Sequence, residues 1–231
     1  MIYNSSDKYI KRVVVDMNKY ILLSNADYLE DKQCYNKVKE YIKPNSRVVC
    51  IPFACDLEYL FKNQTDLQYN GKFYNKHNKH FREYGIKDFN VITPLDNLNL
   101  IKWLINTSDV IYFTGGSMDM LMMMLKKYKL LDTIKQLDNK ILIGESAGAL
   151  CLLEYYVVMT NAIPMKYEGI GLIDIVNLFV HYNEENHEEL FREFNRFLDC
   201  SFKQTLNYAI TDKGCLILDN KKRIKVGEIY G

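Results

Sequence analysis

Proline and glycine are scarce, with four prolines and eleven glycines in 231 residues, below the usual share of either. So little punctuation leaves no room for a flexible linker. No repeat or low-complexity tract divides the chain, which reads as one domain over residues 1–231. No run approaches the roughly 18–20 consecutive apolar residues of a membrane span, and residues 1–12 place Asn, Ser, Asp and Lys where a signal peptide has its apolar centre. Excess charge is missing too. Lys and Arg total 30 and Asp and Glu 29, a formal net charge of +1, so no broad field draws in nucleic acid or an anionic membrane. The basic cluster Lys221-Lys222-Arg223 is short and reads as a solvated turn. Cysteines number six (Cys34, Cys50, Cys55, Cys151, Cys200 and Cys215), without the close pairing of a zinc site or redox motif. They read as free, mostly buried thiols of a reducing compartment, which places the protein in the cytoplasm.

What is present is an alternation. Short, nearly continuous apolar runs at residues 20–23, 47–51, 90–93, 110–113 and 140–143 are interleaved with helical patterns at 29–41, at 98–105, in the Met/Leu-rich stretch after Gly116, and from Ala147 onward. Strands apolar on both faces belong to parallel sheets covered by helices. The alternation therefore predicts a doubly wound α/β fold, a mostly parallel sheet flanked by helices. The last third changes character. An apolar run at 175–180 ends at His181, a charged helix is expected over 184–197, and β-like pieces follow at 208–210, 215–218 and 223–226. These predict one more core strand, a helix and terminal strands in hairpin-like pairs. The Met-rich stretch 118–124 reads as core at helical spacing, a homodimer face being the alternative.

Ligands in such folds bind at the carboxyl ends of the strands, and two small-residue turns lie there. One is Gly144-Glu145-Ser146-Ala147-Gly148-Ala149. A Gly-x-Ser-x-Gly turn between strand and helix exposes a strained serine hydroxyl, a group that becomes a nucleophile once a base takes its proton. The helix that follows points free N–H groups at the site, with Ala147 a candidate oxyanion donor. The other is Gly115-Gly116, whose N–H groups could complete an oxyanion hole opposite Ala147; the bland alternative is a tight turn with positive φ.

The base must come from four histidines. His77 and His80 lie in a polar segment rich in Asn and Lys, read as surface, and no acid or cysteine cluster in the sequence supports a metal role for them. His187 sits in the charged helix and reads as solvated. His181 ends an apolar strand, the same topological position as Ser146, and is the candidate base. Asp212 and Asp174 compete as the orienting acid, Asp212 being favoured although a turn before Lys213-Gly214 would itself explain it.

Three segments together resemble peptidase family S51, the dipeptidase E and cyanophycinase group: Val110-Ile111-Tyr112-Phe113-Thr114-Gly115-Gly116, Ile143-Gly144-Glu145-Ser146-Ala147-Gly148-Ala149, and Gly169-Ile170-Gly171-Leu172 followed by His181-Tyr182. The likeness runs from about Tyr20 onward. It implies a flavodoxin-like, class I glutamine amidotransferase-like fold, Ser146 as nucleophile, His181 as base and Gly116 with Ala147 as oxyanion donors, and Asp212 falls where some members place the acid. It also implies a small peptide substrate and neither metal nor organic cofactor. Two positions depart from the pattern, Thr114 where a glycine is usual and Ser117 where an asparagine is usual. The acidic stretch 183–189 and Glu145 would repel an aspartyl side chain unless Arg192 or another cation compensates. Two other readings compete: an esterase with Asp174 as its acid, and a ligand-binding relative without catalysis.

Overall fold

The computed structural model describes residues 17–160, 163–201, 206–220 and 222–231, with the side chains of 160, 200 and 201 left out. The expectations for the first twelve residues, for Lys221 and for the Cys200 side chain lie outside the described residues.

The strands are β1 (Lys19–Leu23), β2 (Arg47–Ile51), β3 (Asp88–Val91), β4 (Val110–Phe113), β5 (Ile141–Glu145), β6 (Tyr155–Thr160), β7 (Ile163–Glu168), β8 (Val176–Val180), β9 (Leu206–Asp219) and β10 (Lys222–Tyr230). The helices are α1 (Lys32–Val38), α2 (Leu57–Lys62), α3 (Gln64–Leu67), α4 (Lys72–Arg82), α5 (Leu98–Thr107), α6 (Met118–Lys127), α7 (Leu131–Lys135), α8 (Ala147–Cys151) and α9 (Glu184–Ser201), with a 3-10 turn at Ala26–Glu30. Strands β1, β5, β4, β2 and β3 lie side by side in that order and are all parallel. Strand β9 closes the sheet against β1, antiparallel, carries β8 parallel along its first half and pairs with β10 as a long hairpin. This is the mostly parallel, helix-flanked α/β sheet expected from the alternation.

Both faces of the sheet are covered, which is why its strands read as unbroken apolar runs. Successive side chains go to opposite sides. Tyr20, Leu22, Val49, Ile111, Phe113 and Leu142 pack under α5 to α8, while Ile21, Leu23, Val48, Tyr112 and Ile143 pack under α1 and α4. The Met-rich helix α6 turns Leu121, Met122, Met124 and Leu125 into the first of these cores. Cys34, Cys50, Cys151 and Cys215 are buried free thiols and Cys55 is half-buried. Among the described residues, no helix is long and apolar enough to cross a membrane.

Two sequence expectations need correction, and one feature had not been expected. The single helix at 29–41 is a 3-10 turn and a shorter α1, because the Asp31 carboxylate caps the N–H groups of Gln33 and Cys34 and restarts the chain there. The segment around His77 and His80 is helix α4, and both imidazoles are buried beside Phe73 and Phe81. Between α8 and β8 the chain also makes a separate two-stranded sheet, β6 with β7, that the alternating pattern did not announce.

Candidate active site

Ser146 occupies the one-residue turn between β5 and α8, at φ 50° and ψ −112°. A non-glycine residue in such a conformation costs on the order of 1–3 kcal/mol and persists only where its surroundings over-determine it. Here they do. The Ser146 N–H donates to the Leu23 carbonyl at 2.8 Å, and the flanking glycines are spaces that nothing larger fits. A Cβ on Gly148 would lie 2.2 Å from the Phe113 carbonyl oxygen, and one on Gly144 2.5 Å from the Ala149 Cα. Helix α8 is a single turn of 5 residues, so its dipole counts for little and the Ala147 N–H, unpaired within the helix by position, is what it offers.

His181 stands at the end of β8, also in a positive-φ conformation, φ 56°. Its Nε2 lies 2.8 Å from Ser146 Oγ and its Nδ1 2.7 Å from Asp212 Oδ1. The carboxylate can only accept, so Nδ1 carries the proton and Nε2 is the free acceptor for the serine hydroxyl. Asp174, the competing acid, lines a different cavity with Lys135, Glu154 and Glu168. The three groups arrive on β5, β8 and β9, and the ends of β8 and β9 are tied together by Ser24. That buried hydroxyl donates to the Ile210 carbonyl at 2.7 Å and accepts the His181 N–H at 2.9 Å. Sequence reading missed Ser24, since one serine at a strand end carries no mark of its role.

The Gly115-Gly116 turn leaves β4 beside the serine. Gly116 has φ 137°, and a Cβ there would meet the Ala54 carbonyl oxygen at 2.2 Å, so the turn admits only glycine at this point. Ser117 then donates its N–H to Ala54 at 2.7 Å and caps α6 through its hydroxyl. The Gly115 N–H is engaged by Glu145 Oε2 at 3.2 Å; Gly116 and Ala147 both line the cavity that opens at Ser146. The Glu145 side chain is half-buried and held by its own neighbours. Its carboxylate also accepts the Tyr112 hydroxyl at 2.7 Å and the Ala26 N–H at 3.3 Å. Burial first, then the Glu145 charge, push the Tyr112 phenol well above its usual pKa. Its single proton goes to Glu145, so His77 Nδ1, 3.2 Å from the Tyr112 oxygen, is the donor in that contact. Burial holds His77 neutral, its pKa pushed down to about 4.

His80 bonds Glu30 at 2.7 Å and, with Asp27, brings three ligand-type atoms within 4.8 Å of one another. The acids come from the 3-10 turn, far from His80 in sequence. Lys79 already bridges them, at 2.8 Å from Asp27 and 3.3 Å from Glu30. Around the catalytic constellation, a cavity of about 570 Å³ beyond His181 is lined by Glu184, Glu185, Asp212 and Glu228 against Lys213. Arg192 does not offset these acids there, being paired with Glu188 at 2.9 Å. His187 is half-buried and accepts the Asn183 N–H at 3.2 Å.

No curated protein matches the chain. Among solved structures, a candidate peptidase E protein from Listeria monocytogenes EGD-e superposes with a TM-score of 0.67 at 18% identity, over 92% of this chain and 99% of that one. A peptidase from an acI-B1 Actinobacterium gives 0.65 at 17% identity, over 94% and 91%. These likenesses concern the fold. The sequence profile of peptidase family S51 matches residues 20–226, nearly the whole described sheet, and the chain belongs to that family.

Proposed function

We propose that the protein is a serine peptidase that hydrolyses a small peptide through an acyl-enzyme. One observation carries the reading: Ser146 Oγ, the His181 imidazole and the Asp212 carboxylate form a continuous hydrogen-bonded line, at 2.8 and 2.7 Å. Ser146 Oγ attacks the scissile carbonyl carbon while its proton passes to His181 Nε2. The C–N bond then breaks as that proton moves to the leaving nitrogen, and water, deprotonated by the same imidazole, releases the acyl group. Asp212 holds the imidazole in the required tautomer and faces its positive charge as it forms. The developing oxyanion is received by the N–H groups of Gly116 and Ala147, with Gly115 holding the turn through Glu145.

The experiment is active-site labelling with a fluorophosphonate beside a screen of unblocked dipeptides, Asp-X and β-aspartyl peptides included, on the wild type and on Ser146→Ala. Labelling and turnover of the wild type, both lost in Ser146→Ala with the fold intact, are expected. Undiminished labelling of the variant would remove Ser146 from the mechanism, and an esterase would show itself by cleaving esters with no peptide turned over.

A further inference from the structure

The proposed reaction fixes the direction in which each half of a substrate lies. The leaving nitrogen must face His181 Nε2, which protonates it, and the carbonyl oxygen must face Gly116 and Ala147. The acyl half then extends into the space that remains. That space is a cavity of about 370 Å³ opening at Ser146, between the start of α6, α8 and the hairpin of β6 and β7, within the size range of small-molecule sites.

The hairpin forms the far wall. Tyr156 pairs with Tyr167 and Val158 with Met165 across it, so these four share one face, and the two tyrosine rings stack at 5.4 Å. Its other face is anchored, Val157 packing on Phe194 and Leu198 of α9. Held in this way, Tyr156, Val158 and Tyr167 complete the cavity with Met118 and Leu150. The remaining charged group of the lining is Asp119, in the first turn of α6. It makes no ion pair among the described residues. After burial, its carboxylate is the largest influence on the Tyr156 phenol, which is pushed up to about 12. No lysine or arginine is among the described residues lining this cavity.

We infer that this cavity selects the N-terminal residue of an unblocked peptide, one whose side chain is an uncharged aromatic or aliphatic group and whose free ammonium pairs with Asp119. The inference rests on the hydrolase reading for the direction of the acyl half, and on the cavity for its chemistry. Aromatic and aliphatic walls gain by covering an apolar side chain. An aspartyl side chain would enter the same space opposite Asp119 with no cation to meet it, and desolvating an unpaired charge is costly. An N-acyl cap removes the charge that Asp119 would face and adds bulk against it.

The test is calorimetric binding to the full chain carrying Ser146→Ala, with Phe-Ala, Leu-Ala, Asp-Ala and N-acetyl-Phe-Ala as probes. Phe-Ala and Leu-Ala are expected to bind at least ten-fold more tightly than Asp-Ala or the acetylated peptide. Adding Asp119→Asn should narrow the gap between free and acetylated Phe-Ala, and adding Tyr167→Ala the gap between Phe-Ala and Asp-Ala. Asp119 and Tyr167 are both exposed enough for these variants to fold, Tyr167 at 37%. Equal or tighter binding of Asp-Ala, or no cost of acetylation, would overturn the inference. Fluorophosphonate labelling of the wild type separates the two claims. Labelled Ser146 with an aspartyl preference sinks the pocket chemistry alone, whereas absent labelling sinks the hydrolase while the binding ratios still decide the pocket.

Discussion

The carboxylate of Glu145 and the backbone N–H of Gly115 meet at 3.2 Å, across the gap between β5 and the turn after β4. One residue before the nucleophile, therefore, the chain reaches over and holds the turn that carries Gly116. The same carboxylate takes the Tyr112 hydroxyl and the Ala26 N–H, so three segments converge on it.

Glu145→Gln tests that convergence. An amide has one acceptor oxygen, and a neutral one: with that oxygen toward the Tyr112 hydroxyl and the Gly115 N–H, its NH₂ faces the Ala26 N–H, so that contact is lost and the hold on the Gly115-Gly116 turn is weakened. A fall in kcat of about 10- to 100-fold is expected with KM little changed, the size associated with a misplaced oxyanion donor. A parallel loss of about 1–3 kcal/mol in stability should accompany Glu145→Ala, which leaves the buried Tyr112 hydroxyl without its acceptor. Steady-state kinetics and thermal melts read the two effects separately. Unchanged kcat in the glutamine variant would mean that the turn does not depend on the carboxylate charge.

The two acids can be told apart by the same substitution. Asp212→Asn keeps the shape of the 2.7 Å contact with His181 Nδ1 but can present an N–H to it, favouring the wrong tautomer, and orders of magnitude in kcat should go. Because Asp212 and His181 are both about half exposed, at 58% and 50%, the effect on stability should stay below about 1 kcal/mol. Asp174→Asn, in a separate cavity, should leave kcat unchanged. A large loss from Asp174→Asn and none from Asp212→Asn would reverse the assignment.

Much of this was legible from residue order alone. Unbroken apolar runs marked β1, β2, β4 and β5 because both faces of each are buried. The strand ends at Ser146 and His181 stood out because small or polar residues abruptly follow apolar ones. The burial of His77 and His80 was readable and was missed. Phe73, His77, His80 and Phe81 recur at helical spacing along one side of α4, but the intervening Asn and Lys drew attention to the solvated side. The β6 and β7 hairpin had less to show. Met165 and Tyr167 stay exposed, Tyr167 along the cavity at Ser146, so the usual contrast of buried and solvated faces is weak. Ser24 was beyond reach, its role consisting entirely of two contacts more than 150 residues away in sequence.

Acid should destabilise the fold through His77. Its folded pKa is about 4 because burial disfavours the imidazolium, while in the unfolded chain an imidazole titrates near 6.5. Between those values the unfolded state binds more protons, so stability rises with pH across that window and is lost as pH falls through 6.5 toward 4. The slope is about 1.4 kcal/mol per pH unit for one such group. His80, lowered by burial although Glu30 opposes the shift, works in the same direction. Urea unfolding of the wild type and His77→Gln at pH 7.0, 6.0 and 5.0 checks this. The variant is expected to be less stable at pH 7.0 and to lose less on acidification. Parallel curves would show that His77 is not the group responsible.

Gly148→Ala probes how closely the serine turn is pressed to the neighbouring strand. The added Cβ would stand 2.2 Å from the Phe113 carbonyl oxygen and 2.7 Å from its carbon. Those are backbone atoms at the carboxyl end of β4, an inner strand of the sheet, with no rotamer to move aside. The start of α8 must then shift away from β4, carrying Ala147 and the Ser146 conformation with it. A loss of about 2–4 kcal/mol is expected, typical of overpacking at a rigid contact with some backbone strain added, and activity should fall further than the remaining folded fraction explains. Gly171→Ala is the matched control. It has φ 85° but open space, its nearest neighbour being Lys135 Nζ at 4.0 Å, so it should cost only the conformational strain of about 1–2 kcal/mol and leave kcat of the folded protein intact. Should Gly148→Ala behave like Gly171→Ala in both measurements, the turn has slack, and the strained serine is not held in place by contact with β4.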